Sequence, residues 1–350
     1  MTATPRESFK AEAAKRILVT DGAFGTEIQN WKLSEADYAG TLALGHDQKG
    51  NNDILALTKP EVPEAIHRAY FEAGADIAET NTFSANRISQ ADYGAEGLVR
   101  EINVESAALA RRIADEFQQK DGRPRFVAGA IGPTNKTLSL SPDVNDPGYR
   151  EIDFDYLKQV YREQTDALVE GGADFILIET VFDTLNAKAG IMAAIEAGEA
   201  LGRDLPIMLS MTLTDLSGRN LSGHTVEAFW HAVRHARPLT IGLNCSFGAE
   251  QLRPHVKTLS ENCDTLIMVY PNAGLPNELG AYDEAPATTA GLVKEWADAG
   301  QVNVLGGCCG STPAHIRAIA DAVRGLPPRA IPTPAVRTRL AGLEPFTMAA

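Results

Sequence analysis

Long apolar runs are missing from this sequence: nothing in its 350 residues approaches the roughly 18 needed to cross a bilayer. The opening stretch, MTATPRESFKAEAAKR, has no apolar core of the kind a signal peptide carries. Cations are in deficit, with 32 Lys and Arg against 46 Asp and Glu and a formal net charge of −14. That balance repels polyanions, so neither nucleic acid nor a membrane surface is an expected partner. The expected location is cytoplasmic. Cysteine is scarce as well, at four residues with no CxxC spacing, which removes a zinc ribbon from consideration. In a reducing compartment such cysteines are expected as thiols, metal ligands or catalysts rather than bridges. A GxGxxG turn is also absent after the first apolar run, where DGAFGT stands, and this argues against an open dinucleotide-binding sheet.

What is present is a repeated unit. Short β-branched runs recur at 16–22, 75–83, 125–132, 173–180, 206–213, 240–247, 265–272 and 302–309. None alternates with polar residues, as expected of parallel strands covered on both faces. Between them lie amphipathic stretches such as 60–74, 154–172 and 311–325, the last with Thr312 as N-cap and Pro313 in the first turn. Eight strand–helix units predict a single-domain α/β protein, a (β/α)8 TIM barrel over 16–326. An N-terminal extension (1–15) precedes it and a proline-rich, linker-like tail (327–350) follows. Two connections, 27–59 and 133–153, are too long for ordinary βα loops. Both follow strands, which puts them over the C-terminal mouth.

In a barrel, chemistry collects where strands end at that mouth. The predicted ends carry Asp21 and Gly22, then Glu79, Thr80 and Asn81, then Glu179 and Thr180. Later strands contribute Asn244 and Cys245, Pro271 and Asn272, and finally Cys308 and Cys309. Three of the four cysteines therefore fall at one end of the barrel, on two strands separated by one. Adjacent side chains on a regular strand point to opposite faces. Gly306, Gly307 and Gly310 allow the chain to turn so that both sulfurs of the pair face inward. Three thiolates with a vacant fourth position match a catalytic Zn²⁺ site, the alternative being small core residues beside a glycine turn. A trio of thiolates makes the metal a feeble Lewis acid but keeps a fourth, substrate sulfur deprotonated and nucleophilic, which suits alkyl transfer to sulfur. The DGAFGT turn offers backbone N–H groups to a carboxylate, and Asp21 with Glu179 could face an ammonium; a plain tight turn and a capped loop are the alternatives. Cys263 is expected to be an ordinary core or helix-end residue. His231 and His235, four apart on one helix, are expected on a solvated face.

These motifs resemble the homocysteine S-methyltransferases, and most of all the N-terminal homocysteine-binding module of cobalamin-dependent methionine synthase. The likeness runs from TDGAFGT through ETNTFSAN, GAIGPTNKTLS, IETVFDTLNAKA, GLNCSFG and YPNAGLPNELG to GGCCGSTPAHI. It implies a methyltransferase in which Cys245, Cys308 and Cys309 bind Zn²⁺ and homocysteine supplies the fourth ligand. By the same resemblance Asn272 takes that place when substrate is absent. Asp21, the backbone of Gly22, Ala23, Phe24 and Gly25, and Glu179 would hold the amino and carboxylate groups, with Glu79, Thr80 and Asn81 lining the pocket. No protein side chain would act as nucleophile. Methylcobalamin, supplied by a partner chain or module, is the implied donor, and a corrinoid-carrying, folate-binding polypeptide the implied partner. No corrinoid-binding DxHxxG pattern occurs in this chain, so a split enzyme, an excised module, or a donor such as S-methylmethionine or betaine all stand open. Two other classes compete: a phosphate-handling barrel lyase that uses GGCCGST as a phosphate cradle, and a non-catalytic subunit stabilised by zinc.

Overall fold

The computed structural model describes residues 3–349. Eight parallel strands form its centre: β1 (Leu18–Val19), β2 (Ile77–Glu79), β3 (Phe126–Ile131), β4 (Phe175–Val181), β5 (Ile207–Met211), β6 (Thr240–Gly248), β7 (Leu266–Asn272) and β8 (Val304–Leu305). Each pairs with its neighbours in chain order, β8 pairs with β1, and a Thr20–Ile77 bridge closes the ring between β1 and β2. The predicted (β/α)8 barrel is the fold. β1, β2 and β8 are shorter than their apolar runs, because the chain leaves the ladder early to aim its polar residues across the mouth.

Side-chain alternation sorts the strands into two cores. Ile176, Ile178, Ile267 and Val269 face the helices, whereas Phe175, Leu177, Leu266, Met268, Met208 and Val304 fill the barrel interior. The inner core is closed from below by the helix Pro5–Ala13, a role the sequence did not announce. Its Phe9 is fully buried against Phe126 and Phe175, with ring centroids 5.2 Å from each. Thr4 caps that helix and Pro5 opens it.

Outer helices begin and end where local chemistry dictates. Asp153 caps Phe154–Glu170, Thr312 precedes Pro313–Ala322, and Gly74 ends Glu61–Ala73 at φ 111°, an angle that favours glycine. Within the long connection 27–59 lie short helical turns, and 133–153 carries no regular element. None of the described helices is long and apolar enough to cross a membrane.

The tail departs from a plain linker. Arg329 is buried, and its guanidinium donates to the carbonyls of Ser260, Cys263 and Thr265. Further on, Arg339–Ala341 and Pro345–Thr347 form an antiparallel hairpin against the helix Val226–Val233. One expectation is corrected here: His231 is not solvated, because the hairpin covers it and leaves its side chain 2% exposed, while His235 does stay exposed. Cys263 lies in the core, as expected.

Candidate metal centre and substrate cavity

The sulfurs of Cys245, Cys308 and Cys309 lie within 4.8 Å of one another, and Cys245 and Cys309 are 3.7 Å apart. Two ligands 2.3 Å from a tetrahedral centre would stand about 3.8 Å apart, so the trio is spaced to share one metal ion. Backbone irregularity makes this possible. The β6–β7 register breaks between Asn244 and Gly248, where Cys245 and Ser246 take φ values of 60° and 61°. Past Leu305 the chain has left β8, so the adjacent pair sits in a turn and not on a pleated strand. Only Gly310 in that turn needs a positive φ, at 79°. Gly306 and Gly307 are required for space, since a Cβ on either would come within 2.2 Å of Thr20 or Ser311.

The thiols share charge unevenly. Hydrogen bonds from Cys245 and then Cys308 hold the Cys309 thiol down at about 3. Cys308 is pushed well above the ordinary thiol range by its bonds to Cys245 and Cys309 and by burial. Three sulfurs this close favour losing protons to a shared cation over holding them singly. A second mark of a ligand is Asn272, which is 1% exposed at the end of β7 with its Oδ1 lacking any partner.

Beside the sulfurs opens a cavity of about 550 Å³. Gly22, Ala23, Phe24 and Gly25 form one wall, where β1 turns into the helix Phe24–Asn30, whose start no side chain caps. Glu79, Thr80, Asn81, Glu179 and Thr180 form another. Asp21 does not line it: its carboxylate lies beneath and accepts from the Glu79 N–H at 2.9 Å and Thr20 Oγ1 at 3.2 Å. Glu179 is 6% exposed and accepts from the Tyr270 hydroxyl at 3.3 Å. Burial pushes the Glu179 carboxyl up to about 7, and burial with the nearby Glu179 and Asp21 carboxylates holds Glu79 well above the ordinary carboxylate range. No Lys, Arg or His lines this cavity among the described residues. The site wants positive charge.

That deficit removes the phosphate reading. So does the turn itself: the N–H groups of Gly306, Gly307, Cys308, Gly310 and Ser311 already donate to Val269, Asp21, Pro271, Thr26 and Cys308. They have nothing left for a phosphate.

Sequence reasoning missed several contributors. Tyr270 stands in the same inward row as Asn244 and the site residues, a placement that strand alternation could have exposed. Asn51, Asn52 and Asp53, from the long 27–59 connection, line the outer cavity and carry no local signal. Burial raises Asp53 to about 7 even though it accepts from the Ser84 N–H.

Fold and site together define a (β/α)8 barrel enzyme with a three-cysteine centre at its mouth. Residues 18–323 match the sequence profile of homocysteine S-methyltransferases, and the chain belongs to that family of methyltransferases. The fold is similar to that of the homocysteine methyltransferase MmuM from Escherichia coli. Its metallated form superposes with a TM-score of 0.69 at 23% identity, covering 91% of this chain and 99% of that one. The oxidized form gives 0.70 at 23% identity over the same shares, and the apo form 0.65 at 22% over 91% and 100%.

Proposed function

We propose that this chain is the homocysteine-binding subunit or module of a cobalamin-dependent methionine synthase, acting through Zn²⁺ held by Cys245, Cys308 and Cys309. The observation that carries the reading is the trio of sulfurs at metal-sharing distance beside an acidic, cation-free cavity. Bound there, Zn²⁺ keeps the substrate sulfur deprotonated at neutral pH without quenching its nucleophilicity. The chain's own residues do the rest. Glu179, steadied by the Tyr270 hydroxyl, receives the substrate ammonium. The uncapped helix start at Phe24 and Gly25 offers N–H groups to its carboxylate. Asp21 fixes the Glu79 backbone from below, so that Glu79, Thr80 and Asn81 close one side of the pocket. Asn272, with its unpartnered Oδ1, suits the fourth position before substrate arrives. The homocysteine sulfur then attacks the methyl carbon, whose bond to the donor breaks as the S–C bond forms, giving L-methionine.

The donor reading rests on motifs of the methionine synthase branch: DGAFGT, NKTLSLSPDV, TLTDLSGRNLSGHT and PNAGLPN. Purified protein with homocysteine is expected to turn over with free methylcobalamin. Turnover with S-methylmethionine or betaine alone would overthrow the donor assignment. Cys308→Ser is expected to lose both zinc and turnover while its circular dichroism stays that of a folded barrel. Methionine formation at the wild-type rate by that variant would end the metal reading.

A further inference from the structure

Thr180 is β-branched yet holds a left-handed φ of 55°, where such residues are genuine outliers. One side chain answers for it. Asn244 Oδ1 accepts from the Thr180 N–H at 3.1 Å, and Asn244 Nδ2 donates to Thr180 Oγ1 at 2.9 Å. The same Nδ2 reaches Cys308 Sγ at 3.8 Å, within range of an N–H···S hydrogen bond. Ser210 Oγ also donates to Oδ1, at 2.7 Å, from β5, while Thr180 holds both ends of the amide by itself. Asn244 is 1% exposed and Ser210 is fully buried, so solvent does not compete for these contacts.

This amide therefore touches both halves of the site. On one side is the β4 bulge, where the register shifts between Ile178 and Val181 and Glu179 is aimed into the cavity. On the other is the sulfur of a metal ligand. We propose that Asn244 is a positioning residue that locks the Glu179–Thr180 bend to the Cys308 sulfur, setting substrate orientation and thiolate donor strength with one group. The inference rests on the three-thiolate metal site proposed above. An N–H donor draws electron density from a sulfur, and such partners of a ligand tune the metal they do not touch. Its removal makes the sulfur a stronger donor and frees the bend to relax.

The test uses Co²⁺-loaded protein, because sulfur-to-cobalt charge-transfer bands report electron density at the ligand. Asn244→Asp keeps the acceptor oxygen and removes the N–H donor, and Asn244→Ser removes the reach to both sides. Both are expected to shift those bands to longer wavelength and to raise the homocysteine KM by about tenfold, with kcat less affected. Ser210→Ala, which leaves the sulfur contact alone, is expected to keep the wild-type bands. Wild-type spectra and KM in both Asn244 variants, with only a lowered melting temperature, would reduce Asn244 to a core hydrogen bond and overturn the proposal. Band shifts of the same size in Ser210→Ala would overturn it too, as would failure of both Asn244 variants to fold, which would make the residue a fold requirement. Wild-type protein that takes up no Co²⁺ or Zn²⁺ would instead refute the metal site itself.

Discussion

Cys245 and Ser246 occupy left-handed backbone that costs on the order of 1–3 kcal/mol for a residue with a side chain. Neighbours hold them there: Ser246 Oγ lies 2.7 Å from Thr212 Oγ1, and the bulged end of β6 still pairs with β7 at Gly248. The strain turns one sulfur toward two others. A different kind of single-residue cost sits at His67. It is 1% exposed, stacks edge-on against Phe24 at 4.7 Å, and leaves Nδ1 without a partner. Burial lowers its pKa to about 3. An unfolded chain binds a proton at His67 below its ordinary pKa near 6.5, and the folded chain does not until about 3. The stability of the neutral imidazole is thus complete above pH 6.5 and drains away as pH falls toward 3. Urea denaturation should show His67→Leu losing about 2–3 kcal/mol less than wild type between neutral pH and roughly pH 4.5. Parallel pH profiles for the two proteins would contradict this account.

Among elements, β6 does the most positioning. Ile241 and Leu243 face the helices, so Gly242 and Asn244 face inward, and Gly242 has no room for more than hydrogen. A Cβ there would lie 1.5 Å from the Met268 carbonyl oxygen. This is where β6 and β7 approach closely enough for Asn244 and Tyr270 to stand in register at the cavity floor. Gly242→Ala should cost roughly 3 kcal/mol or more, read as a large drop in melting temperature, because backbone and not a flexible side chain is in the way. An unchanged melt would show that the two strands are freer than their register implies. The helix ends taught the opposite lesson about legibility. Thr312-Pro313 and Gly74 announced themselves in the sequence because a cap depends only on residues a few positions apart. The bulges at 179–180 and 245–247 did not, since a register break depends on what the neighbouring strand is doing.

For the molecule as a whole, two cores carry the fold, and the three clustered sulfurs belong to neither, with Cys308 only packing against the inner one. The helix Pro5–Ala13 plugs the barrel below, while Cys308 and Cys309 ride on chain that has already left β8 and Cys245 sits in the bulged end of β6. Stripping metal with a chelator under reducing conditions is therefore expected to abolish turnover and leave a cooperative melt and a barrel-like circular dichroism spectrum. A structural site would unfold on the same treatment. Loss of the cooperative transition on chelation would favour the zinc-stabilised, non-catalytic subunit. Phe9 shows what whole-molecule context adds: MTATPRESFKAEAAKR reads as a polar leader, and only its place under the barrel turns Phe9 into core.

The sequence alone was enough for the eight units, the barrel they close, and the assembly of three cysteines at one mouth, because strand periodicity and the rule that active residues sit at C-terminal strand ends are local or topological facts. The tertiary structure decided what depends on distances between remote segments. Asp21 braces Glu79 from beneath instead of lining the cavity, Arg329 pins the tail to three carbonyls, and the hairpin buries His231. It alone brought the Asn244 amide to both Thr180 and Cys308, each 64 positions away along the chain. Hydrogen bonds form across space, and a linear pattern holds no record of which strangers will meet.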